Sequence, residues 1–423
     1  MLPLVGRTDE LRAVSAAWRT LRDEPARCRI VVITGEIGAG KSRLAAEAVA
    51  ALSPPPGPVL TGQARAHQPA PYDLTASALS GRGAAELGIS VDALAWLTQR
   101  PEPATRRFAP EALLRTAVDA IRSLHRAGPG VLVVEDLHDL DPASLEVVDE
   151  LAAAPDLPVL LLVTSRTARG LAGRVLARLC GTDRSTRLHL APLSVEQVAA
   201  ALPGRSSGDA DLAARVWRRT GGNPSWLTEL VAAGELTGPP GDQLVALATD
   251  RVPAGLVRLA QAAALLGEPV EPAALARFAP PADDGRPAPV AAVDRLVSSG
   301  VLRFDAGGGL RFEQPILAES LAAAALPSLR SAVGAARSNA VSGSAWPADS
   351  DATRRWASLT ARERDVVRLL ADGMTNRQLA RALDISVRTA TVHVSNVLRK
   401  TGAASRTEAA LFALRHGVLD ARG

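Results

Sequence analysis

Three short runs of the chain are apolar at every position: Ile30 to Ile33, Val131 to Val134 and Val159 to Val163. A run with no polar alternation suits a strand buried on both faces, as in a parallel sheet. Val59-Leu60-Thr61-Gly62 and Arg187-Leu188-His189-Leu190 supply two further candidate strands. Between these runs the apolar spacing becomes helical. Leu11, Val14, Ala17 and Trp18 mark a helix over Asp9 to Leu21, another runs on through Leu44 to Leu52, and a third covers Pro110 to Arg126. Strands that alternate with helices predict a parallel, helix-covered α/β sheet. From about Ala64 to Pro110 the periodicity is weak, and no chemistry is legible there.

After Pro192 the pattern turns helical, over Ser194 to Leu202, Asp211 to Thr220 and Ser225 to Ala233. From Pro253 to Leu326 it reads helix, helix, helix, hairpin, helix. The hairpin pairs Leu302-Arg303-Phe304 with Leu310-Arg311-Phe312 around the turn Asp305 to Gly309. Three helices and a two-stranded wing predict a winged helix. Ser338 to Asp351, rich in Ser, Ala and Gly, reads as linker. In the tail, Thr360–Glu363, Thr375–Gln378 and Ser405–Glu408 are capping boxes and Ser386 caps a further helix, giving four short helices in helix-turn-helix order.

Two stretches add chemistry to this pattern. Gly35-Glu-Ile-Gly-Ala-Gly-Lys-Ser42 follows the first apolar run and opens a helix, fitting the phosphate-loop pattern G-x-x-x-x-G-K-[ST]. Gly35, Gly38 and Gly40 let successive N–H groups face one anion, Lys41 neutralises the outer phosphates, and the Ser42 hydroxyl holds Mg²⁺. The chain has two lysines, Lys41 and Lys400, among 48 basic residues, so an ammonium is kept at this loop in a background of arginine. The second long apolar run ends in Glu135-Asp136, which places two carboxylates at a strand's carboxyl end, where they can hold Mg²⁺ or orient the attacking water; which acid does which is open. Thr164 and Arg166, at the end of the third, reach the same crevice, where a polar group can sense the third phosphate. Asp139 and Asp141 read as turn and helix-cap residues, and His138 as a loop or packing residue.

Charge separates the two ends of the chain. Arg354 to Gly423 carries 13 Lys/Arg against 6 Asp/Glu, a net +7, so within a total of +4 the first 353 residues sum to −3. A basic tail built as a helix-turn-helix points to double-stranded DNA, with Ser386 to Lys400 as the recognition helix exposing Arg388, Thr391, His393, Ser395 and Asn396. Two cysteines, Cys28 and Cys180, exclude a disulfide framework, and no Cys/His spacing suits a structural metal. With no secretory leader and no membrane-length apolar stretch, the expected location is the cytoplasm, with no membrane partner.

The tail resembles the LuxR-type DNA-binding domain through Leu359 to Leu370, Gly373 to Ala380, Ser386 to Thr389, Val392 to Val394 and Leu398 to Gly402. The resemblance implies that Thr391, Val392 and Ser395 face bases, while Arg388, Thr389 and Lys400 lie near phosphates; Thr391 stands where a charged residue is often found. The N-terminal part resembles the nucleotide-binding module of the large ATP-binding LuxR-type regulators, STAND-class signalling ATPases. Val5 to Leu11, the phosphate loop, Glu135 to Asp141, Thr164 to Arg166 and Gly221-Gly-Asn-Pro224 carry that likeness. It implies that Val5 and Arg7 lie near the adenine, that Pro224 helps close the site, and that the winged helix clamps nucleotide. Gln314 replaces the histidine often found before Pro315, and a short linker stands where helical sensor repeats are usual.

The expected organisation is therefore a P-loop nucleotide-binding domain (1–192), a helical lid (193–250), a winged helix (251–333), a linker (334–356) and a LuxR-type helix-turn-helix domain (357–423). The expected function is an ATP/ADP-switched transcription regulator with slow ATPase turnover, using Mg²⁺ and self-associating with ATP. RNA polymerase is a further partner open to a promoter-bound regulator. Two rivals remain: an ATP-driven remodeller that uses DNA as a platform, and a constitutive DNA binder with a vestigial nucleotide domain.

Overall fold

The computed structural model describes residues 3–25, 27–65, 70–100, 108–126, 128–166, 168, 170–203, 210–279, 289–342, 359–371, 376–383, 385–401, 403 and 409. The chain divides into two compact units, one of Met1–Arg251 with Phe312–Ala324, the other of Val252–Arg311 with Ala325–Gly423.

The first unit is built on five strands, β1 (Arg29–Gly35), β2 (Val59–Gly62), β3 (Gly130–Val134), β4 (Val159–Ser165) and β5 (Ser185–Leu190). They form one sheet in the order β2-β3-β4-β1-β5, with every pairing parallel. Side chains alternate between the faces of a strand. Ile30, Val32, Leu132, Val134, Leu161 and Val163 accordingly join a core with the Pro110–Leu124 and Pro142–Ala153 helices. Val31, Ile33, Val131, Val133, Leu160 and Leu162 join another with Trp18, Leu21 and Leu44, from helices Thr8–Asp23 and Lys41–Ala50. The uninterrupted apolar runs of the sequence reflect this burial on both faces.

Among the described residues, the stretch with weak periodicity folds as three short helices, Asp73–Ala78, Ala84–Leu87 and Val91–Leu97. Elements of four to seven residues are too short to display a helical period. After the sheet come helices Val195–Ala201, Ala210–Thr220, Pro224–Ala233 and Asp242–Asp250, the last unmarked in the sequence pattern. Arg219 ties this group to helix Pro315–Ala323 by a bidentate ion pair in which Nε and Nη2 donate to the two Glu319 carboxylate oxygens, each at 2.9 Å.

The second unit begins with helices Val257–Leu266, Pro272–Ala276 and Pro289–Ser298 and the hairpin of β6 (Leu302–Phe304) and β7 (Leu310–Phe312), whose last residue, Phe312, counts with the first unit. Asp305 closes the hairpin turn by accepting the N–H groups of Gly307 and Gly309. Helix Pro327–Ser342 extends into positions expected as linker, and 343–358 lie outside the described residues. The tail contributes helices Ala361–Ala371, Asn376–Ala382 and Val387–Thr401 around Val366, Val367, Leu370, Leu379, Val394 and Val397. The expected fourth helix falls outside the described residues, apart from Ala409. Among the described residues no single helix is long and apolar enough to cross a membrane.

Candidate nucleotide site and recognition helix

The strand order decides what meets at the sheet's carboxyl edge. β4 lies between β1 and β3, so the loop after β1 neighbours the residues that leave both. Gly38 and Gly40 take φ of +77° and +90°, the left-handed region open to glycine. The two positions differ in a second respect. A Cβ at Gly40 meets open space, whereas at Gly38 it would lie 2.6 Å from the Asn223 amide oxygen.

Glu135 is gripped by two hydroxyls. Ser42 Oγ donates to Glu135 Oε2 at 2.7 Å, and Thr164 Oγ1 donates to the same oxygen at 2.8 Å. Thr164 also accepts the Asp136 N–H at 2.9 Å, so one buried threonine orients both acidic residues. Asp136 turns through φ +45° and leaves its carboxylate half-exposed beside the cavity. Lys41 is buried and donates through Nζ to the Gly35 and Glu36 carbonyls, each at 3.1 Å. Burial pushes its pKa down, opposed chiefly by the nearby Asp136 carboxylate. A partly desolvated ammonium bonded to carbonyls is poised to gain from an arriving anion.

Arg166 is held by His138. The Arg166 Nε–H points to His138 Nε2 at 2.6 Å, and its backbone N–H to Nδ1 at 3.2 Å. A neutral imidazole has one acceptor nitrogen, so it accepts one of these two N–H groups, and the shorter contact is the one at Nε2. Burial pushes the His138 pKa down, opposed by Asp139 and reinforced by Arg166. The sequence marks His138 as a loop or packing residue; the structure adds a contact that fixes Arg166 at the cavity wall.

Gly221-Gly-Asn-Pro224 reaches the phosphate loop from the helical part. Asn223 caps helix Pro224–Ala233 by accepting from Ser225 N and Trp226 N, and its Nδ2 donates to Ile37 O at 2.7 Å. Ser225 N donates to Gly38 O at 3.2 Å. Asn before Pro is readable as a helix start; its grip on the loop is not, because 186 residues separate Asn223 from Ile37.

These elements enclose a cavity of about 470 Å³ lined by Gly38, Lys41, Ser42, Asp136, Arg166 and Pro224, among others. A smaller recess adjoins it, with Val5, Arg7, Ala39, Leu193, Pro224 and Leu227 in its wall. Arg7 lies buried there, donating to Ala191 O at 2.7 Å and pairing with Glu10 at 3.2 Å. Gln314 is buried at the start of helix Pro315–Ala323. Among the described residues no group of three or more His, Cys, Asp or Glu is set to hold a metal unaided. The donors present, one hydroxyl and two carboxylates, suit a hard cation that brings oxygen ligands from a nucleotide.

In the tail, Thr360 and Glu363 form the expected capping box: Glu363 N donates to Thr360 Oγ1, and Glu363 Oε2 accepts Thr360 N. The same Glu363 oxygen pairs with Lys400 Nζ at 2.7 Å, so Lys400 bridges the first and third helices. Burial raises the Glu363 pKa, but the bonds from Lys400 and Thr360 outweigh it and hold the group low. Ser386 Oγ accepts Thr389 N, capping the recognition helix. With Ala390, Val394 and Val397 turned inward, Thr389, Thr391, Val392 and Ser395 are exposed; His393 and Asn396 are half-buried. The Arg388 side chain and the caps at Thr375 and Ser405 lie outside the described residues.

Two family models match the chain: AAA ATPase domain over residues 3–163 and bacterial regulatory proteins, luxR family, over 357–413. The chain joins an AAA-type ATPase domain to a LuxR-family helix-turn-helix domain. It is 45% identical over 64 residues to the transcriptional regulatory protein YhcZ of Bacillus subtilis, covering 15% of this chain and 30% of that protein. It is 38% identical over 108 residues to the transcriptional regulatory protein FixJ of Bradyrhizobium diazoefficiens, 26% of this chain and 49% of that one. The chain thus spans about a third to a half of the length of these curated relatives. The Walker-type ATPase paby2304 of Pyrococcus abyssi matches with a TM-score of 0.45 at 14% identity, covering 75% of this chain and 96% of that one. That score lies under 0.5, so the assignment rests on the two family models.

Proposed function

We propose that this AAA–LuxR fusion is a transcription regulator whose ATP or ADP state controls how its helix-turn-helix engages promoter DNA in the cytoplasm. The observation that carries the nucleotide part is the 2.7 Å bond from Ser42 Oγ to Glu135 Oε2, which brings the phosphate-loop hydroxyl and the strand-end acid to one point.

Gly35, Gly38 and Gly40 cradle the phosphates and Lys41 neutralises the outer ones, while Val5, Arg7 and Pro224 border the base. Ser42 and Glu135, with Asp136 beside them, are the residues that hold Mg²⁺. A cation held by these residues would supply positive charge against the outer phosphates. Glu135 is fixed by Ser42 and Thr164, whereas Asp136 faces the open cavity. That difference supports Glu135 in the metal shell and Asp136 orienting the attacking water, with Arg166 at the third phosphate. Turnover is slow, because a switch needs only to reset.

On the recognition helix, Thr391, Val392 and Ser395 meet base edges with His393 and Asn396 beside them, and Arg388 and Thr389 meet backbone phosphates. Lys400, paired with Glu363, reaches phosphate only from within that ion pair. ATP-dependent self-association would bring two such helices onto paired half-sites; equal mass with ATP and ADP in analytical ultracentrifugation would overturn that step. The governing experiment is recovery of genomic DNA fragments by the full chain with ATP, with ADP and with neither, at one fixed salt concentration. Specific fragments under one nucleotide alone support the switch. Identical recovery in all three refutes it, leaving a constitutive DNA binder.

A further inference from the structure

A second layer of contacts lies behind the phosphate loop. Ser225, whose N–H holds Gly38 O, accepts a bond on its hydroxyl from Arg251 Nη2 at 2.8 Å. The Arg251 guanidinium carbon sits 4.2 Å from the centroid of the fully buried Trp226 ring, within cation–π range. Its Nη1 is buried and has no hydrogen-bond partner among the described residues. Leaving a charged donor unsatisfied is costly, and one hydrogen bond and one ring contact offset only part of that cost. A residue kept merely for packing would do better apolar. Arg251 is also the last residue of the first unit before the chain enters the second at Val252.

The path from guanidinium to loop has two links. Asn223 pins the Ile37 carbonyl and Ser225 pins that of Gly38. In a trans peptide the carbonyl and the next N–H point opposite ways, so each pinned carbonyl fixes an N–H of the cradle. We propose that Arg251 is a positioning residue for the nucleotide site: anchored on Trp226, it holds Ser225, and through Ser225 the phosphate loop, in its binding geometry. This rests on the nucleotide reading above. It adds a residue at the unit's exit, on which the loop's shape depends.

The test is calorimetric titration of the full chain with MgATP and with MgADP, comparing wild type, Arg251→Ala, Arg251→Lys, Ser225→Ala and the Arg251→Ala/Ser225→Ala double variant. Loss of one charge-assisted bond predicts roughly tenfold weaker binding in each alanine variant. The double variant binds no more weakly than either single one, because both break the same path. Arg251→Lys recovers part of the affinity, since an ammonium reaches the hydroxyl but stacks less well. Wild-type affinity in Arg251→Ala, or two losses that multiply in the double variant, overturns the proposal. If Arg251→Ala does not fold, the lysine and Ser225 variants decide, and wild-type affinity in both overturns it. A wild-type chain that binds neither nucleotide removes the nucleotide reading itself and this inference with it.

Discussion

The phosphate-loop edge and the recognition helix use opposite strategies. At the loop, the functional groups are enclosed and hold one another: Lys41, Thr164 and Asn223 are all buried, and Glu135 is clasped by two hydroxyls. On the recognition helix Ala390, Val394 and Val397 are spent on the core, and Thr389, Thr391, Val392 and Ser395 face outward. A site for a small anion must replace its water with fixed dipoles, so binding and folding share the same bonds. A duplex is read by a surface that docks into a groove, so binding and folding are separable there.

Lys41→Ala tests the enclosed site most severely. Losing the buried ammonium should weaken ATP and ADP by on the order of a hundredfold in calorimetric titration. Val392→Glu tests the separability of the exposed one. Val392 is 54% exposed, and a carboxylate there would face DNA phosphates. Affinity for recovered promoter fragments should fall about tenfold or more while stability stays within about 0.5 kcal/mol. A matching drop in stability would show that the helix surface is not free for DNA.

Asn223→Ala should show the mixed phenotype of enclosure. It removes a helix cap and the bond to Ile37 O, so denaturant titration should reveal a loss of about 1–2 kcal/mol, accompanied by weaker nucleotide binding. Loss of stability with unchanged affinity would reduce Asn223 to a cap. The smallest effect is one of pH. Burial lowers the pKa of both His138 and His125 below the ordinary value of 6.5. The unfolded chain therefore takes up protons first, and stability present above that value falls as pH drops through it. His138→Gln should flatten part of this slope, by about 1 kcal/mol or less, in melting curves between about pH 7.5 and 5.5.

Most of the frame was legible because its signals are local. Runs buried on both faces announced β1, β3 and β4, and the phosphate loop announced itself by spacing. Thr360, Glu363 and Ser386 act as caps where the pattern put them. What stayed hidden depends on distance along the chain. Thr164 orienting Glu135, His138 holding Arg166 and Asn223 gripping Ile37 each join residues from different elements, and no spacing rule encodes which side chain will face which. Helix Asp242–Asp250 is faint in the sequence for another reason: it buries only Leu244 and Ala248 and so carries little amphipathic signal.

The chain's two lysines give it an unusual chemical address system. Apart from the terminal amine, an acylating reagent finds Lys41 in the loop and Lys400 on the recognition helix, and a lysine-specific protease has the same two targets. Lys41 is sealed against Gly35 and Glu36, while Lys400 is ion-paired but a quarter exposed in its side chain. Labelling at Lys41 thus clocks the opening of the loop, and labelling at Lys400 clocks the release of Glu363. One mass spectrum reads both halves of the fusion at once.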